Sequence, residues 1–195
     1  MSNNSEAPKN INIPIYNVAK CFDKLEHTST SIDLFTVGVN DDKFITITNS
    51  NMQCEVAVKT PWGAQTARTT LQNIEMQGTV LAGLKCSVSI DTIGKECLDK
   101  THDMSFKYKN CVSVPPLGFI DDILAITTCS PDSIRMNAIM QAKLNAKLLE
   151  LGPQKCSHIH IGKKYDSCPT LNIYNDSMLR SNRERYLGDI LTSKC

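Results

Sequence analysis

The sequence predicts an α+β domain, in which strands and helices segregate. Three observations lead there. Short apolar or alternating runs give the strands, two long stretches of helical period give the main helices, and the two kinds segregate along the chain. A length of 195 residues, 41% hydrophobic and 21% charged, suits a single domain with a real core. Finally, Pro115–Thr127 (PPLGFIDDILAIT) sets two adjacent carboxylates, Asp121 and Asp122, between two apolar runs. Those runs, Leu117–Ile120 and Ile123–Ile126, read as buried strands of a hairpin bent at the acidic pair.

The elements follow in order. Residues 1–10, MSNNSEAPKN, form a polar, disordered lead, and the domain occupies 11–195. Ile11–Val18 (INIPIYNV) alternates as a strand, and Pro14 suggests an edge strand or an early position because proline donates no ladder bond. Thr28–Val37 has helical pattern, with Gly38 as its stop. Asp41-Asp42 opens a short segment running to Thr48 and reads as a helix cap, since carboxylates at a helix start meet free N–H groups. Cys54–Lys59 alternates as a strand up to the Pro61-Trp62-Gly63 turn, with Leu71–Met76 as its partner.

Gln77-Gly78 breaks the pattern, and Val80–Leu98 is a helix with Val80, Leu84, Val88, Asp91 and Lys95 along one line. Met104–Tyr108 is a strand before the acidic hairpin. Ser130-Pro131-Asp132 starts a second helix, with Ser at the N-cap and Pro at N1. Ile134, Ala138, Gln141, Asn145 and Leu149 recur at helical spacing up to Leu151, where Gly152-Pro153 ends it. Cys156–Ile161 alternates, with Cys156, His158 and His160 on one side and Ile159 and Ile161 on the other. Leu171–Tyr174 and Tyr186–Leu191 are the last strands.

Taken alone, the acidic pair admits two readings. Asp is a common turn former, so the pair could be a solvated hairpin turn. Buried carboxylates need a compensating charge, and a divalent cation is the obvious one. The neighbourhood of other motifs weighs on the choice. Asn17 stands five residues before the aromatic Phe22, and Gln77-Gly78 precedes a helix. Gly152-Pro153-Gln154-Lys155-Cys156 follows the second helix, and Tyr186-Leu187-Gly188 lies near the end. With Phe119-Ile120-Asp121-Asp122 these are five motifs in order over residues 15–191. In that order they resemble the reverse transcriptase domain of non-LTR retrotransposons.

The resemblance implies the palm of a right-hand polymerase, an antiparallel sheet with helices packed on one of its faces, with most of the fingers and the thumb outside this chain. It implies an RNA-directed DNA polymerase that uses Mg²⁺, or Mn²⁺ in its place, with an RNA template, a DNA primer and deoxynucleotides as partners. By the resemblance, Asp121 and Asp122 are metal ligands and residue 17 is the third. Phe22 gates the ribose 2′-hydroxyl, Gln77 and Gly78 border template and nucleotide, and Lys155 faces the triphosphate. Tyr186, Leu187 and Gly188 contact the primer. The departure is residue 17, where the family carries Asp and this chain carries Asn. An amide brings one oxygen and no charge, so impaired or absent activity is expected.

Composition limits these readings. Lys plus Arg is 21 against 20 for Asp plus Glu, a net charge of +1, so nucleic-acid contact has to be local. Nine scattered cysteines without a CxxC pair argue against a disulfide framework and for a reducing compartment. No apolar run approaches the length of a membrane span and the N-terminus lacks a signal-peptide core; the resemblance implies work in the nucleus or on cytoplasmic RNA. Two further readings stand beside the polymerase. One is a non-catalytic palm serving as a nucleic-acid or protein interaction module. The other is a zinc site built from Cys156, His158, His160 and Cys168.

Overall fold

A computed structural model of the chain describes residues 10–49, 55–70, 80–108, 112–162 and 168–193. Residues 1–9 of the lead, Cys54, the Leu71–Met76 partner strand and Gln77-Gly78 lie outside the described residues, and Asn10, expected in the lead, already belongs to the first strand.

The chain opens with strand β1 (Asn10–Ala19) and three helices, α1 (Cys21–Lys24), α2 (His27–Thr36) and α3 (Asp41–Asn49). A small two-stranded unit, β2 (Glu55–Val56) with β3 (Thr69–Thr70), precedes the long helix α4 (Val80–Thr101). Another, β4 (Lys107–Tyr108) with β5 (Val112–Ser113), leads to the acidic hairpin β6 (Leu117–Phe119) and β7 (Asp122–Leu124). Helix α5 (Ser130–Ala146), β8 (Glu150–Leu151), a 3₁₀ turn at Pro153–Lys155 and β9 (Ser157–Gly162) follow. The chain then runs through β10 (Asn172–Ile173), β11 (Asp176–Ser177), β12 (Leu179–Ser181), β13 (Arg183–Tyr186) and β14 (Asp189–Thr192).

The main sheet has the order β12-β9-β1-β7-β6, with β8 pairing the end of β1. All neighbours are antiparallel except β12 and β9, which run parallel, so the sheet is mixed at that edge rather than wholly antiparallel. β1 is central, not the edge strand that Pro14 suggested. The sheet tolerates the proline at the loss of one ladder bond: Asn12 exchanges both backbone bonds with Thr127, whereas two residues on Pro14 only accepts, from Ala125 N–H at 3.0 Å.

Because β1 is covered on both faces, its alternation separates two clusters. Tyr16 and Val18 point into the larger one, formed with Cys86, Ile90, Ile93 and Cys97 of α4 and Met136, Met140 and Leu144 of α5. Ile13 and Ile15 point the other way, into a smaller cluster with Leu124 and Ile159 that Tyr186 and Leu191 of the β13–β14 hairpin cover in part. Both large helices therefore share one face of the sheet. Asn17, in step with Ile13 and Ile15, belongs to the opposite face.

Several expectations need correction. The first arm of the acidic hairpin is exposed over Leu117–Phe119 with Ile120 half-buried at its end, whereas the second arm is buried over residues 123–125 as expected. α4 runs as expected, but the expected line is the outer stripe where it is described: Leu84 is exposed, and Asp91 pairs with Lys95 at 2.7 Å in solvent. The buried stripe is Ala82, Cys86, Ile90, Ile93 and Cys97. In α5, Cys129 takes the N-cap and Ser130 is already helical. That helix stops at Ala146, short of Leu151, because Leu148 takes a left-handed φ of 58° and turns the chain so that β8 can pair with Val18 and Ala19. Tyr186–Leu191 is not one strand; Leu187 and Gly188, with φ of 49° and 93°, form the turn of a hairpin.

Candidate catalytic centre

The strand–hairpin junction builds the site from two distant segments. Antiparallel pairing sets Asn17 of β1 opposite Asp122 of β7. The β6–β7 connection is a two-residue turn, Ile120-Asp121, closed by the Phe119–Asp122 pair. Such a turn needs positive φ at its first position, usually glycine. Here Ile120 takes φ of 56°, a conformation a β-branched residue adopts only when its surroundings hold it there. The Ile120 side chain packs against the main core. Asp121 is thus held at the crest of the turn, and its carbonyl accepts Val18 N–H at 2.7 Å.

Residue 17 is fixed from both sides. Its N–H points at the Cys156 sulfur at 3.4 Å and its carbonyl accepts Gly152 N–H at 2.9 Å. From this position the Asn17 carboxamide donates to both carboxylates, Nδ2 lying 3.1 Å from Asp121 Oδ2 and 2.9 Å from Asp122 Oδ1. The amide oxygen is buried with no hydrogen-bond partner among the described residues, 3.9 Å from where a Cβ on Gly152 would stand. The three positions expected to converge therefore do so across a separation of 104 residues.

That geometry decides what the donor set can hold. Mg²⁺ needs hard oxygen ligands with free lone pairs around one point. Here an amide N–H group, not an oxygen, faces the two carboxylates. The residues present do not fit the pair of ions expected from the resemblance. Among the described residues, no group of three or more His, Cys, Asp and Glu side chains comes together at a metal-binding spacing.

The other expected residues distribute unevenly. Phe22 and Lys155 line one cleft of about 300 Å³ together with Asp121, Val18, Lys20, Cys21 and Asp23. Lys20, Cys21 and Asp23 were not anticipated as cleft residues, although their adjacency to Phe22 was the available signal. Asp23 also occupies the first turn of α1. Tyr186 reaches the acidic hairpin, donating its hydroxyl to the Leu117 carbonyl at 2.9 Å. Burial, and then the nearby Asp122 carboxylate, push its phenol above the ordinary range. Leu187 and Gly188 are exposed in the turn beyond it. Cys156, beneath Asn17, is held protonated by burial, reinforced by Asp122.

Among the described residues, Cys156, His158, His160 and Cys168 do not gather into a metal-binding group. Cys156 contacts the Asn17 backbone, His158 Nε2 pairs with the Cys168 sulfur at 3.4 Å, and His160 Nδ1 pairs with Asn12 at 2.7 Å. Burial, with Arg180 and His160 nearby, lowers the His158 pKa. Cys21 and Cys86 are joined as a disulfide between α1 and α4, a pairing that cysteine spacing did not reveal. No helix among the described residues is long and apolar enough to cross a membrane.

No known family profile and no curated protein sequence matches the chain. Solved structures do. Apo telomerase from Candida tropicalis, truncated from its C-terminal domain, matches with a TM-score of 0.66 at 14% identity, over 97% of this chain and 35% of that one. Telomerase from Candida tropicalis in complex with a TWJ fragment of telomeric RNA matches at 0.67 and 12% identity, over 98% of this chain and 30% of that one. The Candida albicans telomerase complex with such a fragment gives 0.61 and 13% identity, over 84% of this chain and 29% of that one. The chain spans about a third of the length of these proteins. At such identities the likeness carries the fold: an α+β, reverse-transcriptase-like palm.

Proposed function

We propose that the chain is the palm of an RNA-directed DNA polymerase of non-LTR retrotransposon descent, with nucleotidyl transfer impaired or lost at Asn17. The observation that carries this reading is the meeting of Asn17, Asp121 and Asp122 at one strand–hairpin junction, on the sheet face away from the helices. The ordered motifs supply the retrotransposon assignment, and the RNA complexes of the structural neighbours lend weight to a nucleic-acid role.

In this reading the cleft beside Asp121 receives the incoming deoxynucleotide. Phe22 forms the wall against which a ribose 2′-hydroxyl would clash, and Lys155 offers a cation to the phosphates. Gln77 and Gly78 border the template. Tyr186, Leu187 and Gly188 meet the primer strand from the hairpin that covers the open face. Joining a primer hydroxyl to an α-phosphate builds negative charge on the attacking and leaving oxygens, which calls for positive charge at the carboxylates. The native donor set does not gather the anionic ligands to hold that charge. Loss of one such electrostatic group costs on the order of 10²–10³ in rate.

A second reading, a non-catalytic palm kept as an interaction module, draws on the same amide contacts. Primer extension on an RNA template with magnesium or manganese separates them, using the native chain, Asn17→Asp and Asp121→Ala. The polymerase reading expects little or no extension by the native chain and extension by Asn17→Asp. A folded Asn17→Asp chain that extends nothing supports the interaction module. Robust extension by the native chain, abolished in Asp121→Ala, removes Asn17 as a disabling change.

A further inference from the structure

We infer that the Asn17 carboxamide takes the place of a cation between Asp121 and Asp122, so that the native chain holds this carboxylate pair without a divalent ion and does not take one there. The inference rests on the contacts, whatever the chain's ancestral reaction. Two adjacent carboxylates repel each other and need positive charge or donors between them. An amide nitrogen has two hydrogens, and both are used here, one on each carboxylate, at 3.1 and 2.9 Å. Hydrogen bonds to an ionised acceptor are the strong kind. Among the described residues no lysine, arginine or histidine pairs with either carboxylate, so this amide is the donor they share.

The arrangement is rigid. The backbone of residue 17 is held at its N–H by Cys156 and at its carbonyl by Gly152, and the next residue donates to the Asp121 carbonyl. Turning the amide over would set Oδ1 against two carboxylate oxygens, which costs both bonds and adds repulsion. A divalent ion entering from the cleft would have to displace both hydrogen bonds and gain no third anion. The amide also ties β1 to the turn of the β6–β7 hairpin, so it carries stability as well as excluding metal.

The test uses the full chain as native protein, Asn17→Asp and Asn17→Ala. Free Mn²⁺ is followed by electron paramagnetic resonance during titration, and thermal unfolding is recorded in chelator and in millimolar Mn²⁺. The native chain is expected to bind no stoichiometric Mn²⁺ and to melt at one temperature in both conditions. Asn17→Ala, which loses both donors, should melt lower by about 4–8 °C in chelator. Asn17→Asp should melt lower still in chelator, bind Mn²⁺ and recover with it.

Two results overturn the inference. One is Mn²⁺ binding by the native chain with a dissociation constant below about 10⁻⁴ M, abolished in Asp122→Asn. The other is an Asn17→Ala chain that melts as the native one does. Should Asn17→Asp fail to fold, the native titration and Asn17→Ala still decide. An Asn17→Asp chain that takes Mn²⁺ yet extends no primer leaves this inference standing and counts against the polymerase reading.

Discussion

Gly118 shows how closely the acidic hairpin is fitted to the helix beneath it. A Cβ on Gly118 would stand 2.4 Å from Cγ2 of Ile90, a buried β-branched residue in mid-helix. Ile90 has one strongly preferred χ1 in a helix, so the contact is not relieved by rotation. Gly118→Ala is expected to push the hairpin off α4 and to destabilise the fold by about 1–3 kcal/mol. In a domain of this size that lowers the melting temperature by roughly 2–4 °C per kcal/mol, readable by circular dichroism. An unchanged melting curve would show that hairpin and helix can slide apart freely. The sequence offered no sign of this contact, because a glycine in an apolar run names no partner. The convergence of residue 17 with Asp121 and Asp122 was legible, but only through motif order. Nothing local predicts that an amide at 17 would donate to both carboxylates, since that depends on the Asn17–Asp122 register.

Among the elements, α5 separates what periodicity can tell from what it cannot. The helix was visible in the sequence, and its buried face was not. Ile134, Ala138 and Leu149 share the helical spacing, but so do Met136, Met140 and Leu144, and apolar residues on both sides leave the choice to the sheet. The sheet buries Met136, Met140 and Leu144 and leaves Ile134 in solvent. Met140→Ala should therefore cost about 2–5 kcal/mol through a core cavity. Ile134→Ala should stay within about 0.5 kcal/mol of the native chain. Urea denaturation of both variants checks the pair, and equal losses would mean that α5 is rotated from the face described. The early end of α5 was hidden for a related reason. The chain turns at Leu148, a residue with no left-handed preference, while the obvious stop signal, Gly152-Pro153, sits beyond β8. Pairing of Glu150 and Leu151 with β1 overrides that signal. Pro14 misled in the opposite direction: one missing donor costs less than the two-sided burial that β1 gains at the centre of the sheet.

For the whole molecule the question is how firmly such a palm grips nucleic acid by itself. Phosphate neutralisation supplies most of non-specific affinity, and log K falls with log salt at about 0.9 per neutralised phosphate on duplex. The chain carries a net charge of only +1. The cleft beside the acidic turn offers Lys20 and Lys155 but sets them against Asp23 and Asp121. Other lysines are engaged elsewhere: Lys24 with Glu150 at 2.5 Å, Lys143 with Glu96 and Lys147 with the buried Asp33. Among the described residues lining this cleft, two cations are then available to phosphates. Binding of a labelled primer–template duplex, followed by fluorescence anisotropy, should be weaker than about 10⁻⁶ M at physiological salt. Raising salt from about 50 to 200 mM should cost roughly tenfold in affinity, the slope of two contacts, and Lys155→Ala should flatten it further. A submicromolar complex losing about a thousandfold over the same range would mean that a basic surface beyond these lysines engages the duplex. That outcome would favour an interaction module over a cleft that recognises little more than a nucleotide. The near balance of charge thus makes salt dependence the discriminating measurement for the intact chain, because it reads the phosphate contacts whether or not the carboxylate centre can do chemistry.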